Sequence, residues 1–535
     1  MHDTPQPDVI VLGGGLAGLT LALQLRQRFE GIEVLVLERR GHPVPEAAHK
    51  VGESSVEIGA NYFDAVLGLK SHLMARQLKK FGFRFFFNEG RRDLDRTTEL
   101  GASRYLAAPS YQIDRGIFEN HLGELARERG IHFLDGARVE RVSLDGGVSP
   151  HEVEYEHAGS RHVARARWVV DASGRAGLLK RQLGLAQDNA HDANAIWFRI
   201  ADRIDVHDWS QDAQWKARCD PPARWLSTIH LCGAGYWTWL IPLSSGSHSV
   251  GIVCDAKIHP LESMNTFERA MDWFRRFQPQ LYDALDGRRH LLQDFRFLRH
   301  FSHGCKQVFS GQRWALTGDA GLFLDPFYSP GSDFIAMSNT YITELIAKDR
   351  AGEEFAPYAR AYEQVYFSFY ESTLALYTDQ YRIFGNPEVM PVKVIWDYTY
   401  YWGVLAQIWY QRRLTDLNSL SRLRSELAQA KALNFAVQRL LRAWSAAGGG
   451  RESAAMLDQA ALPWFAELNQ SLLDAPLDDA GYRTRIRANV TLLKALAVEI
   501  VGRARADVPD IDATEVEALA QGIAPETALL FRLAA

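Results

Sequence analysis

The sequence predicts an α/β fold: a Rossmann-like dinucleotide-binding domain, an inserted antiparallel-sheet region and a helical C-terminal domain. Three observations predict it. A short apolar run near the N-terminus closes on a G-x-G-x-x-G glycine pattern. Segments of period-two alternation fill roughly residues 190–300. After about residue 334 the periodicity is helical to the end. A chain of 535 residues is too long for one simple core, so several domains are expected.

The first element is the apolar run "DVIVLG" (8–13), which reads as a buried parallel strand. "LAGLTLALQLRQRF" follows with helical periodicity, and "IEVLVLE" (32–38) is a second strand ending in an acid. These three pieces make a complete β-α-β unit. Later strands of the same kind are "WVVDAS" (168–173) and "RWALTGDA" (313–320). "WTWLIPLSSGSHSVGIVC" (237–254) has the look of an antiparallel pair. The aromatic-rich stretch 358–412 reads as the core of a helical domain, and "AAGGG" (446–450) as a flexible joint. The expected divisions are 1–189 with 300–345, then 190–299, then 346–535.

Hydrophobic residues make up 47% and charged residues 23%, as in ordinary globular proteins. A net charge of −5 gives no footprint for nucleic acid. No apolar run is long enough to span a membrane. The N-terminus lacks a basic, cleavable leader, and Cys219, Cys232, Cys254 and Cys305 show no metal or CxxC spacing. Free thiols in a reducing cytoplasm are the expectation, with no metal site.

"GGGLAG" places Gly13, Gly15 and Gly18 at the fingerprint spacing. The first glycine permits a tight turn, the second lets backbone approach a pyrophosphate, and the third lets helix pack on strand. Glu38 ends the next strand, where a carboxylate accepts both ribose hydroxyls and repels a 2′-phosphate. NAD and FAD both use this pattern. "YQIDRGIFENHL" (111–122), "VVDASGR" (169–175) and "GDAG" (318–321) decide between them, because together they resemble the FAD-binding family that includes aromatic hydroxylases. The resemblance covers about residues 8–345 and implies FAD, with Arg115 against the cofactor and Asp319 at its ribose and pyrophosphate.

Two further segments narrow the resemblance. "WTWLIP" (237–242) is similar to the W-x-W-x-I-P motif of flavin-dependent halogenases, and Phe323, Pro326, Ser329 and Gly331 match their F-x-P-x-x-S-x-G motif. "KVGESSVEIG" (50–59) resembles the halogenase segment that covers the flavin. In "LKKFGFRF" (78–85), Lys80 aligns better than Lys79 with the lysine of phenol-type members. The resemblance implies that reduced FAD and O2 oxidise halide, chloride or bromide, to hypohalous acid. A lysine, here Lys80, then holds that species by hydrogen bond or as a haloamine, and the substrate ring attacks the halogen. Trp237 and Trp239, on one face of a strand, would wall the flavin from the substrate. Burial suits a lysine to this relay, since desolvation lowers its pKa.

Two departures matter. Tyr328 stands where tryptophan-specific members carry a glutamate, which points to a ring that needs less help, such as a phenol. Pro330 removes one backbone N–H from the turn that holds the halide in the family, leaving Gly331 and Ser332, with the Asp333 carboxylate close by. The leading expectation is a halogenase of electron-rich aromatics, free or tethered to an acyl carrier protein. It would be served by a separate flavin reductase, since no second dinucleotide fingerprint is present. The alternatives are an FAD-dependent aromatic monooxygenase without halide chemistry, and a catalytically silent FAD-fold protein.

Overall fold

The computed structural model describes residues 6–47, 50, 52–146, 149–523 and 529–531. The residues read for a leader begin outside that set, as does Val51 of the "KVGESS" segment. The chain forms two interleaved compact units: 1–77, 113–189 and 302–370 make one, and 78–112, 190–301 and 371–535 make the other.

The first unit is built on a five-stranded, all-parallel sheet. Its order is Trp314–Leu316, Trp168–Asp171, Val9–Leu12, Val34–Glu38 and His132–Asp135. The first strand is buried on both faces, as its unbroken apolar run requires. The helix Leu16–Arg28 joins it to the second strand, completing the expected unit. A 20-residue helix, Gly331–Arg350, follows the last strand and its turn.

The second unit contains an eight-stranded mixed sheet. Four central strands, Ala193–Ile200, His248–Asp255, Tyr236–Pro242 and Thr228–Gly233, pair antiparallel in that order, and Leu292–Leu298 flanks the first. The sheet also takes in Phe83–Phe86, parallel to Thr228–Gly233, then Glu99–Gly101, then Met456–Asp458. The last of these corrects the expectation of an unbroken helical tail. One sheet face carries Ile196, Phe198, Ile229, Leu231, Leu240, Val250 and Ile252, packed with the helices Phe267–Phe277 and Pro279–Asp286 into a dense core. By strand alternation the other face carries Phe83, Phe85, His230, Trp237 and Trp239. The glycine-rich joint is tied down: the Gly449 N–H and the Trp444 indole both donate to Asp507.

Candidate functional site

In the first unit the glycine pattern forms a cradle. Gly13 has a φ of +114°, and a Cβ there would strike the Ala172 carbonyl oxygen. A Cβ on Gly18 would strike the Gly13 carbonyl oxygen. Gly15 faces open space, its nearest neighbour the Lys50 Nζ 3.8 Å from where a Cβ would stand. Glu38 is oriented by two amides, Gly14 N–H to Oε2 at 2.7 Å and Arg40 N–H to Oε1 at 2.8 Å. Arg115 opens the helix Arg115–Glu128 and donates to Glu119 Oε1 at 2.5 Å and to the Gly52 carbonyl. Glu119 is buried and pairs with Lys50 as well. Burial works to raise the Glu119 carboxyl, but Arg115 and Lys50 hold it below the ordinary glutamate value. Burial also pushes Lys50 down.

Asp319 lies in a tight turn after the Trp314–Leu316 strand. Burial raises its carboxyl above the usual range, against the pull of Arg175, Arg115 and Lys180. Lys180 donates to the Gly321 carbonyl at 2.6 Å. A glycine turn opening a helix, the Glu38 carboxylate at the end of the second strand and the cations Lys50, Arg115, Arg175 and Lys180 in this one unit are the kinds of group that an FAD pyrophosphate and ribose require. The residues present fit that cofactor.

The Ser329–Pro330 turn explains itself locally. Ser329 adopts a φ of +53°, the left-handed region that a non-glycine residue rarely occupies, and its N–H donates to the Pro326 carbonyl at 2.9 Å. Pro330, at φ −75°, caps the Gly331–Arg350 helix and accepts from the Asp333 and Phe334 amides. A cap needs no N–H of its own. Helix geometry leaves the Gly331 and Ser332 amides without intrahelical acceptors, and a Cβ on Gly331 would meet open space. Asp333 is buried, and its Oδ1 accepts the Gly59 N–H at 2.8 Å, which gives that carboxylate a partner in the 50–59 segment.

In the second unit Lys80 and Lys79 part company. Lys79 is exposed, while Lys80 is 3% exposed, with its Nζ 3.3 Å from the Phe83 ring centre. The Lys80 N–H is fixed by the Ser110 carbonyl at 2.9 Å. From Phe83 the aromatic face runs to His230 at 5.3 Å, on to Trp237 at 5.0 Å, and from Trp237 to Trp239 at 5.6 Å. Trp237 Nε1 donates to Tyr381 Oη and Trp239 Nε1 to Ser249 Oγ, both at 3.1 Å. Gly251 faces Trp239 across the strand pair, and a Cβ there would run into the indole.

The structure therefore gathers Gly13, Gly15, Gly18, Glu38, Arg115, Asp319, Ser329 and Gly331 in one unit, and Lys80, Trp237 and Trp239 in the other. Sequence reasoning left Lys50 unassigned and read Glu119 only as one candidate for a surface ion pair with Arg115; the pair forms, and Glu119 is buried. The signal for Glu119 was its i+4 spacing from Arg115. It also passed over His230, which no local motif announces.

A family model described as an FAD binding domain matches residues 6–268. The flavin-dependent halogenase chlA of Dictyostelium discoideum is 26% identical over 431 residues, covering 74% of this chain and 70% of that protein. The 1H-pyrrole-2-carbonyl-[peptidyl-carrier protein] chlorinase of Pseudomonas fluorescens is 28% identical over 346 residues, covering 61% and 72%. Among solved structures, halogenase PltM in complex with phloroglucinol and FAD superposes with a TM-score of 0.64 at 17% identity, covering 93% of this chain and 96% of that one.

Proposed function

The chain belongs with the flavin-dependent halogenases, FAD-dependent enzymes, and from that premise we propose that it halogenates a phenol-class ring through Lys80. The observation that carries the proposal is the burial of Lys80 against Phe83, on the sheet face that bears Trp237 and Trp239. An ammonium held on an aromatic face in a dry setting keeps its hydrogen-bonding geometry while its charge is poorly solvated.

Bound FAD, once reduced, supplies the activated oxygen that oxidises halide. This chain's residues do the rest. Gly13, Gly15 and Gly18 admit the pyrophosphate, Glu38 accepts the ribose hydroxyls, and Arg115 and Asp319 hold the cofactor's polar length. The turn at Ser329 presents the Gly331 amide to the halide. Lys80 holds hypohalous acid and aims its halogen at the ring, and Trp237 and Trp239 keep oxidant and ring apart until then. Separation of this kind turns a diffusible oxidant into a directed one.

The phloroglucinol complex of PltM and the carrier-bound pyrrole of the Pseudomonas chlorinase support an electron-rich substrate, free or carrier-tethered. The reading includes a separate flavin reductase and a cytoplasmic setting. Cys219, Cys232, Cys254 and Cys305 are free thiols, and among the described residues no helix is long and apolar enough to cross a membrane. Pro330 favours a second reading, an aromatic hydroxylase, because it removes one halide donor. Mass spectrometry with FAD, a reductase, NADH, oxygen and phenols, with and without bromide, separates the two. A bromine isotope doublet supports halogenation, and a product that gains oxygen alone supports the hydroxylase.

A further inference from the structure

Residues Tyr401–Ala406 form a π-helical turn between the helices Val389–Tyr400 and Gln407–Tyr410. Such turns are rare and recur at functional sites. This one sets Trp402 in a three-ring cluster, 4.6 Å from Tyr398 and 4.6 Å from Phe465, which themselves lie 5.9 Å apart. Tyr398 in turn lies 6.2 Å from Phe83, the ring on which Lys80 rests. Trp402 is 1% exposed, and among the described residues its Nε1–H has no acceptor. Trp237 and Trp239 do have theirs. Trp197 and Trp273 also keep unaccepted Nε1–H groups; Trp273 packs into the core on the opposite sheet face, and Trp197, on the face of Trp239, stands beyond Gly251 from it.

A second donor stands nearby. Asn469 is buried; its Oδ1 accepts the Ala108 N–H at 2.9 Å, and its Nδ2 has no acceptor. Asn469 is one turn beyond Phe465 in the helix Pro463–Gln470, so the two share a face. Native interiors rarely leave such donors unpaired, and each calls for an explanation.

We propose that the Trp402 Nε1–H reads an oxygen substituent on the aromatic substrate, making Trp402 a specificity-determining residue for oxygenated rings. The inference rests on the reading of the Lys80 face as the place of the substrate. An indole donor fixed in a buried ring cluster is preorganised, and a substrate ring without an oxygen leaves it unpaired.

The test uses the full-length FAD-loaded protein and measures dissociation constants for phenol and toluene by ligand-observed NMR titration. The wild type binds phenol more tightly. Trp402→Phe keeps an aromatic ring and removes the N–H, and is expected to weaken phenol binding about tenfold with toluene unchanged. Unchanged phenol binding, equal weakening of both ligands, or no phenol binding by the wild type overturns the proposal. If Trp402→Phe lowers the melting temperature, the benzothiophene isostere of tryptophan at 402 keeps the shape and gives the same comparison. Binding is read without turnover, so a wild-type product that gains only oxygen refutes the halogenase reading and leaves this comparison intact.

Discussion

At the scale of single residues, Pro330 is the position where two demands meet. Its φ of −75° suits a helix cap, and its missing N–H costs the helix nothing. The same absence takes one donor from the anion that the turn is proposed to hold. Pro330→Ala restores the amide without changing the backbone region. On the halogenase reading it lowers the KM for bromide by about fivefold, the effect of one added backbone hydrogen bond to an ion. A bromide KM that rises or stays fixed in steady-state bromination would remove this turn from halide binding. The sequence made much of this site legible. Lys80 was distinguished from Lys79 by its K-F-G context, and burial separates the same two lysines. The Lys50 partner of Glu119 and the place of His230 were not legible, because their significance comes from what folding brings beside them. Glu119 joins Lys50 across 69 positions of sequence, and His230 meets Phe83 through a sheet register.

At the scale of elements, the sheet in the second unit is extended by strands from distant parts of the chain. A buried triad ties two of them together. Glu99, on one added strand, accepts from Arg84 on its neighbour and from Arg224 Nε at 2.8 Å, and all three side chains are fully buried. Burial works against the Glu99 charge, but the two guanidiniums hold its pKa below the ordinary value. Glu99→Gln leaves two buried cations without their counter-ion. It should destabilise the protein by about 3–5 kcal/mol in denaturant unfolding. A loss below about 1 kcal/mol would show that the triad is dispensable. Period-two alternation was enough to find Tyr236–Pro242 and His248–Asp255. It could not place Phe83–Phe86 beside Thr228–Gly233, since the pattern within a four-residue strand does not name its partner. Met456–Asp458 has three residues, too few for any period to register within a helical tract.

At the scale of the whole molecule, two histidines, the buried His248 and the half-buried His303, set an acid limit. Burial lowers His248 to about 3, and burial with the Lys180 charge lowers His303 to about 4. Both folded values lie below the unfolded value of about 6.5, so the unfolded chain binds more protons between them. Their contribution is complete above about pH 6.5 and is lost as the pH falls toward 4. The melting temperature should therefore drop steadily from pH 7 to pH 4.5. His248→Gln, whose amide oxygen can still accept the Ile204 N–H, should flatten that slope. A melting temperature constant over this range would contradict the account.

The central claim is that this chain directs halogen to a ring through Lys80. Its most direct test compares the wild type and Lys80→Ala in bromide, with reduced FAD, oxygen and a phenol panel, read by mass spectrometry. FAD affinity and reduced-flavin oxidation are followed in the same samples. The account predicts brominated product from the wild type and none from Lys80→Ala, with both flavin measurements unchanged. Full bromination by Lys80→Ala, or a wild-type product that gains only oxygen, would contradict it.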